Sequence, residues 1–116
     1  MKSLVGIAAL CLFVIAMGGR ASAAAPGDGA KVYAAQKCGM CHSIAGKGNA
    51  KGPLDDVGRR LTADEIRQWL TSPKEMAAKH QSTRKPPMKS FASLPSGDLD
   101  ALVSYLQTLK ASPTGK

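Results

Sequence analysis

The chain has 116 residues, which is enough for one domain, and its 16 lysines and arginines outnumber 8 aspartates and glutamates to give a formal net charge of +8. The basic residues are spread along the chain without a dense run or a nucleic-acid-binding motif, so the charge favours an acidic protein partner and argues against nucleic acid. Aromatic residues make up only 4% of the sequence, and so small a domain usually needs a source of stability beyond its own side chains.

The first residues have the pattern of a removable export signal. Lys2 precedes an apolar run over residues 4–17, and Ala21-Ser22-Ala23 offers the small residues that a signal peptidase accepts. The run is shorter than the roughly 20 apolar residues that span a bilayer, so we expect no stable membrane insertion. We therefore predict a signal peptide over residues 1–23, a single domain over residues 24–116, and delivery to a bacterial periplasm.

A cysteine and histidine motif follows the first predicted helix. Asp28 can cap that helix, which leads into Cys38-Gly39-Met40-Cys41-His42. A Cys-x-x-Cys-His sequence is the attachment signature of c-type haem, in which the thiols add to the two vinyl groups of one porphyrin and the adjacent imidazole binds the iron. A zinc module and a thiol oxidoreductase are alternatives, but the chain lacks the second ligand pair of the first and the β-α-β pattern of the second.

The middle of the chain alternates between a loop and two helix signals. Four glycines and a proline between residues 46 and 58 predict a loop. Thr62-Ala63-Asp64-Glu65 is a capping box that opens a helix with an apolar face. Ser72-Pro73-Lys74-Glu75 is a second box with proline at the first helical position, and it predicts a short helix through Met76.

The C-terminal part contains one further helix signal. Residues 79–87 are polar and end in two prolines, which exclude helix there. Ser96 is then predicted to cap a final helix, whose apolar face consists of Leu99, Leu102, Val103, Leu106 and Leu109. No run of residues has the alternation of a strand, so the predicted fold class is all-α.

A haem iron bound by His42 needs a second protein ligand, and three methionines and a histidine are available. Met40 lies inside the attachment motif and cannot reach the opposite face of the porphyrin, and Met76 is typical of core packing in a helix. Met88 follows Pro86-Pro87, whose extended backbone can hold a thioether against the iron. Met88 is the predicted second ligand, and His80 stays open as the alternative.

Taken together, these motifs resemble those of a small soluble class I c-type cytochrome over essentially all of residues 24–116. The matching segments are Lys37-Cys38-Gly39-Met40-Cys41-His42, Gly52-Pro53-Leu54 through Val57-Gly58-Arg59, Trp69-Leu70-Thr71-Ser72-Pro73, Pro87-Met88 and Leu102-Val103-Ser104-Tyr105-Leu106. The loop after Pro53 is shorter than the family's loop, and the stretch between Pro73 and Met88 is longer.

The resemblance implies an all-α class I cytochrome c fold, with helices and loops wrapped around one haem that Cys38 and Cys41 bind covalently. It implies that the Pro53 carbonyl accepts the second ring N–H of His42, and that Arg59 lies near a haem propionate. The remaining residues that it places against the haem are Leu54, Trp69 and Leu70. It also implies that the first helix meets the last, through Gly29 and Tyr33 on one side and Leu102 and Tyr105 on the other.

The expected function is one-electron transfer by a periplasmic carrier with His42 and Met88 as axial ligands. Such a protein is not an enzyme, and we expect a monomer that docks on redox proteins with acidic surfaces. Two alternatives stay open: a haem subunit or domain of a larger redox enzyme, and a gas- or peroxide-reactive haem protein in which the methionine ligand is labile.

Overall fold

A computed structural model describes residues 26–112, and the polypeptide there is mainly helical. The predicted signal peptide over residues 1–23 lies outside the described residues. The helices are α1 (Pro26–Ala35), α2 (Val57–Arg60), α3 (Ala63–Thr71), α4 (Pro73–Lys79) and α5 (Ser96–Gln107). The prediction of an all-α class is confirmed. Among residues 26–112, no helix is both long enough and apolar enough to cross a membrane.

The first and last helices pack against each other at a glycine. A Cβ atom on Gly29 would lie 2.1 Å from the Ala101 carbonyl oxygen and 2.3 Å from Cβ of Tyr105, so only a hydrogen lets the backbones approach this closely. One turn further along α1, the rings of Tyr33 and Tyr105 meet edge to face with 6.1 Å between centroids. The predicted meeting of these two helices is confirmed.

Helix α3 packs across α5 and completes the core. Leu102 of α5 is fully buried, and Ile66 of α3 is 2% exposed. The other members of the buried cluster are Val57, Leu70, Phe91, Leu99, Val103 and Leu106. The Phe91 N–H donates to the Leu70 carbonyl at 2.7 Å, which holds the segment before α5 against the end of α3.

Helix starts agree with the sequence in one case and differ in three. Helix α1 begins at Pro26, so Asp28 lies inside its first turn and is not its N-cap. The Thr62–Glu65 capping box is present: the Glu65 N–H donates to Thr62 Oγ1 at 3.2 Å, and Glu65 Oε2 accepts from the Thr62 N–H at 2.8 Å. The second predicted box is wrong, because Ser72 is both the C-cap of α3 and the N-cap of α4 and its side chain makes no capping hydrogen bond. Ser96 is the first residue of α5, and the N-cap position belongs to Pro95.

A short hairpin interrupts the stretch that the glycines predict to be a loop. Strands β1 (Ser43–Ile44) and β2 (Lys47–Gly48) pair antiparallel, with Ile44 opposite Lys47. Ala45 and Gly46 form the turn with positive φ angles of 52° and 77°. Two residues are too few for side-chain alternation to reveal a strand, so the sequence pattern could not indicate it.

Candidate functional site

The cysteine motif forms a tight turn directly after α1. Lys37 adopts a left-handed conformation with φ 56°, which ends α1 and starts a 3₁₀ turn over Cys38–Met40. The Cys38 carbonyl accepts from the backbone N–H groups of Cys41 at 3.1 Å and His42 at 2.9 Å. The thiols are not joined to each other, and Cys38 is half-buried while Cys41 is exposed. The turn therefore offers two separate thiols and one imidazole.

Asn49 fixes this turn from the far side of the hairpin. Its backbone N–H donates to the carbonyls of Gly39 at 3.0 Å and His42 at 2.9 Å, and its side-chain amide donates to the Met40 carbonyl at 3.1 Å. Its side-chain oxygen accepts from the Lys51 N–H at 3.0 Å. The sequence alone does not indicate this role for Asn49, because a single asparagine in a glycine-rich stretch gives only a turn signal.

His42 is oriented by the loop that follows the hairpin. Its Nδ1 lies 3.1 Å from the Gly52 carbonyl oxygen. Because a carbonyl can only accept, Nδ1 carries the proton and Nε2 is left with a free electron pair for a metal. The resemblance implied that the Pro53 carbonyl accepts this hydrogen bond from His42. In the structure the acceptor is instead the carbonyl of the preceding residue, Gly52.

The reason for this offset is the backbone pairing around Ser43. The Gly52 carbonyl accepts the Ser43 N–H at 3.0 Å, and the Ser43 carbonyl accepts the Leu54 N–H at 2.9 Å. This pairing brings the Gly52 carbonyl alongside the imidazole of the preceding residue. Burial lowers the pKa of His42, the hydrogen bond to Gly52 opposes that shift, and the positive charge of Arg84 adds to it.

Two adjoining cavities open beside the turn, with volumes of about 570 and 790 Å³. Both are lined by the same six residues, so they are parts of one cleft: Cys38, His42, Trp69, Ser82, Arg84 and Met88. The first cavity is otherwise walled mainly by apolar side chains of α2, α3 and α5, and the second opens beside Met40, Cys41 and the two prolines before Met88. The cleft has the size and apolar lining of a cofactor site.

Most of the residues that the sequence indicated for the site do lie around this cleft. Pro53, Leu54 and Leu70 line the first cavity, and Trp69 lines both. The exception is Arg59, which lies outside both cavities and donates through Nη1 to the Ala111 carbonyl at 3.3 Å. The neighbouring Arg60 lines the first cavity in its place.

The candidates for second iron ligand are placed differently. Met88 is half-buried and lines both cavities, whereas His80 is exposed and lines only the first. The His80 ring stacks on Trp69 with 5.7 Å between centroids. Met76 is 3% exposed and lines neither cavity, and Met40, on the attachment turn, is 71% exposed.

Charge is segregated around the cleft. None of the chain's 8 carboxylates, all within the described residues, lines either cavity. The cations that do are Lys51 and Arg60 in the first, Lys37, Lys74, Lys85 and Lys89 in the second, and Arg84 in both. Amino-acid composition cannot identify these seven cations, because their position at the cleft depends on which loops meet there.

These side chains fit an iron porphyrin. Two unpaired thiols can form thioether links, an oriented imidazole and a thioether can bind iron, and apolar walls can enclose the ring. The surrounding cations complement the two propionates of a haem.

The comparison with protein families agrees with this geometry. The model of the Cytochrome c family matches residues 27–110, and the chain belongs to that family. The protein is thus a c-type cytochrome that carries covalently attached haem c and serves haem-based electron transfer. Comparison with curated proteins gave no match, and comparison with solved structures gave none either.

Proposed function

We propose that this cytochrome is a free one-electron carrier of the bacterial periplasm whose haem iron is bound by His42 and Met88. The observation that carries the proposal is that these two side chains line the same two cavities as the attachment residue Cys38. When bound, the haem supplies an iron that changes between the ferrous and ferric states without gaining or losing a ligand.

The residues of the chain have distinct tasks in this proposal. Cys38 and Cys41 would anchor the porphyrin, and the Gly52 carbonyl holds the proton of His42 on Nδ1, which leaves the electron pair of Nε2 available to bind the metal. The apolar wall formed by Leu54, Leu70 and their neighbours excludes water from the ring, which favours the less charged ferrous state.

Met88 is favoured over His80 because of where the two side chains lie. Met88 packs against the buried cluster, so its thioether is held inside the domain. His80 is exposed, and one face of its ring is occupied by Trp69.

The spectrum of the oxidised protein tests this ligand assignment. We expect a weak near-infrared charge-transfer band from a sulfur–iron bond, and we expect Met88→Ala to abolish it while His80→Ala leaves it unchanged. The opposite pattern, with low-spin character lost in His80→Ala and the spectrum of Met88→Ala intact, would contradict the assignment.

Location and oligomeric state belong to the same proposal. Support for the periplasm comes from the export pattern of residues 1–23, and it is tested by N-terminal sequencing of the processed protein, which we expect to begin at Ala24.

We propose that the protein is a monomer, and measurement of its mass in solution tests this. A subunit of a larger redox enzyme would instead co-purify with that enzyme at low salt.

The partners that we propose are redox proteins with acidic docking surfaces. The support is the charge around the cleft, where seven cations line the two cavities and the 8 carboxylates lie elsewhere within the described chain. Complementary charge of this kind mainly accelerates encounter and orients the partners.

A further inference from the structure

The segment that carries Met88 is weakly attached to the rest of the domain. Residues 83–89 make no backbone–backbone hydrogen bond within the described chain, and all of them except Met88 are exposed. The nearest backbone anchors are the Ser82 N–H, which donates to the Ala77 carbonyl, and the Phe91 N–H, which donates to the Leu70 carbonyl. A segment without internal hydrogen bonds opens at low cost in free energy.

One side chain of this segment crosses the cleft. Arg84 Nη2 donates to the Cys41 carbonyl, and this is the single hydrogen bond that residues 83–89 make within the described chain. The bond joins residues 43 positions apart, one on the Met88 segment and one on the attachment turn. A guanidinium donor makes a charge-assisted bond, which is stronger than a neutral one.

The loop that orients His42 also receives this guanidinium. A Cβ atom on Gly52 would lie 2.2 Å from Arg84 Nη1 and 2.3 Å from the Cys41 carbonyl oxygen, so the glycine leaves the space in which the guanidinium lies. The ion pairs of residues 26–112 do not include Arg84, so no carboxylate draws it elsewhere. Arg84 therefore contacts the turn and the loop that together hold the proximal imidazole.

We propose that Arg84 is a positioning residue that holds the Met88 segment against the attachment turn and so limits how often Met88 leaves the iron. This inference rests on the ligation proposed above. It separates two roles in the segment, because Met88 supplies the ligand atom while Arg84 keeps the segment closed around it.

Ligand exchange in the oxidised holoprotein tests the proposal. Imidazole is a neutral probe that binds ferric iron only after the methionine has left, and loss of the near-infrared band reports the exchange. Loss of one charge-assisted hydrogen bond corresponds to roughly a tenfold change in an equilibrium constant, so we expect Arg84→Ala to bind imidazole about tenfold faster. Arg84→Lys, which keeps a donor and the charge, should give an intermediate rate.

Lys79→Ala is the matched control. It also removes one exposed positive charge near this segment, but Lys79 lines neither cavity and makes no hydrogen bond across the cleft. We expect its exchange rate to equal that of the unmodified protein.

Two results would overturn the proposal, and each would refute a different part of it. Equal exchange rates in Arg84→Ala, Lys79→Ala and the unmodified protein, with the near-infrared band present, would show that Arg84 does not restrain the segment while Met88 ligation stands. Absence of the band in the unmodified protein would refute Met88 ligation itself and the role of Arg84 with it.

Discussion

The Tyr33 hydroxyl is a buried polar group without a hydrogen-bond partner among the described residues. Its ring lines the first cavity and packs edge to face on Tyr105. Burial raises the pKa of Tyr33 to about 12, with smaller contributions from the negative charges of Tyr105 and Asp55 when they are ionised. The ordinary value is 10.0, so the folded protein keeps this proton over a range in which an unfolded chain loses it.

Replacement of this hydroxyl should alter the alkaline stability of the protein. Between about pH 10 and 12 the unfolded chain binds fewer protons than the folded one, so the free energy of unfolding falls as pH rises. We expect Tyr33→Phe to make this decline shallower. Guanidinium unfolding at a series of pH values measures it, and identical slopes for the two proteins would contradict the prediction.

At the scale of single residues, the sequence identified the reactive groups better than their partners. Cys38, Cys41 and His42 are recognisable because their spacing is itself the chemical requirement. The choice between the Gly52 and Pro53 carbonyls depends on the backbone pairing of Ser43 with Gly52 and Leu54, which has no sequence signature.

The adjacent arginines show the same limit. Arg59 and Arg60 both lie on α2, where neighbouring side chains point about 100° apart, so only the packing of α2 decides which one faces the cleft. Arg84 gave no signal at all, since it stands in a polar stretch and acts through a contact 43 positions away.

Among the helices, the crossing of α1 and α5 depends on the absence of a side chain at Gly29. We expect Gly29→Ala to destabilise the protein by about 1–3 kcal/mol, because the methyl group would force the two backbones apart. Gly97→Ala is the matched control: no atom lies within 4 Å of the added Cβ in the first turn of α5, so its helix propensity should leave stability unchanged or raise it by up to about 1 kcal/mol. Equal midpoints for both variants in thermal unfolding would contradict this account.

The capping box of α3 should make part of the stability dependent on pH. Hydrogen bonds from the Thr62 backbone and side chain lower the pKa of Glu65 below its ordinary value of 4.5, and the positive charges of Lys79 and His80 contribute less. A lowered folded pKa means that the stabilisation is present above about pH 4.5 and is lost as pH falls through the folded value.

Glu65→Gln keeps the side-chain acceptor but removes the titrating group. We expect the stability of this variant to decline less steeply below pH 4.5 than that of the unmodified protein. Chemical unfolding from pH 3 to 7 measures the difference, and parallel curves would count against a stabilising role for the ionised box.

Helices begin where the sequence predicts when the capping motif at their start can form both of its hydrogen bonds. The box at Thr62 is complete, and α3 begins after it as predicted. Ser72 carries the same signal, but it also ends α3: its N–H donates to the Gln68 carbonyl and is therefore not free to bind the Glu75 side chain, as a capping box requires. The two-residue strands cannot be predicted from the sequence, because they pair where a loop closes and their residues have no particular preference for strands.

For the molecule as a whole, the segregation of charge predicts how it meets a partner. Charge is screened over roughly 8 Å at physiological ionic strength, so electron exchange with an acidic partner should slow as salt rises. We expect Lys74→Glu or Lys89→Glu, at the lining of the second cavity, to slow association several-fold at low salt.

Lys31→Glu is the matched control for these charge reversals, because Lys31 is exposed on α1 outside both cavities and lies 4.0 Å from Asp28. Its association rate should change little. Stopped-flow measurement of electron exchange at several salt concentrations gives these rates. A rate that is flat or rises with salt would indicate apolar docking, in which the lysines serve only solubility.

The pairing of α1 with α5 joins the two ends of the described chain, while the exposed residues 81–87 lie between α4 and the final helix. A single proteolytic cut in that exposed segment would therefore leave two fragments that still share the Gly29 crossing and the buried Leu102. The domain should survive such a cut as a non-covalent complex, with the haem retained on the N-terminal fragment and Met88 carried by the other. Mixing the two fragments would thus show whether the fold remains stable when the segment that carries Met88 is no longer joined to the N-terminal part of the chain.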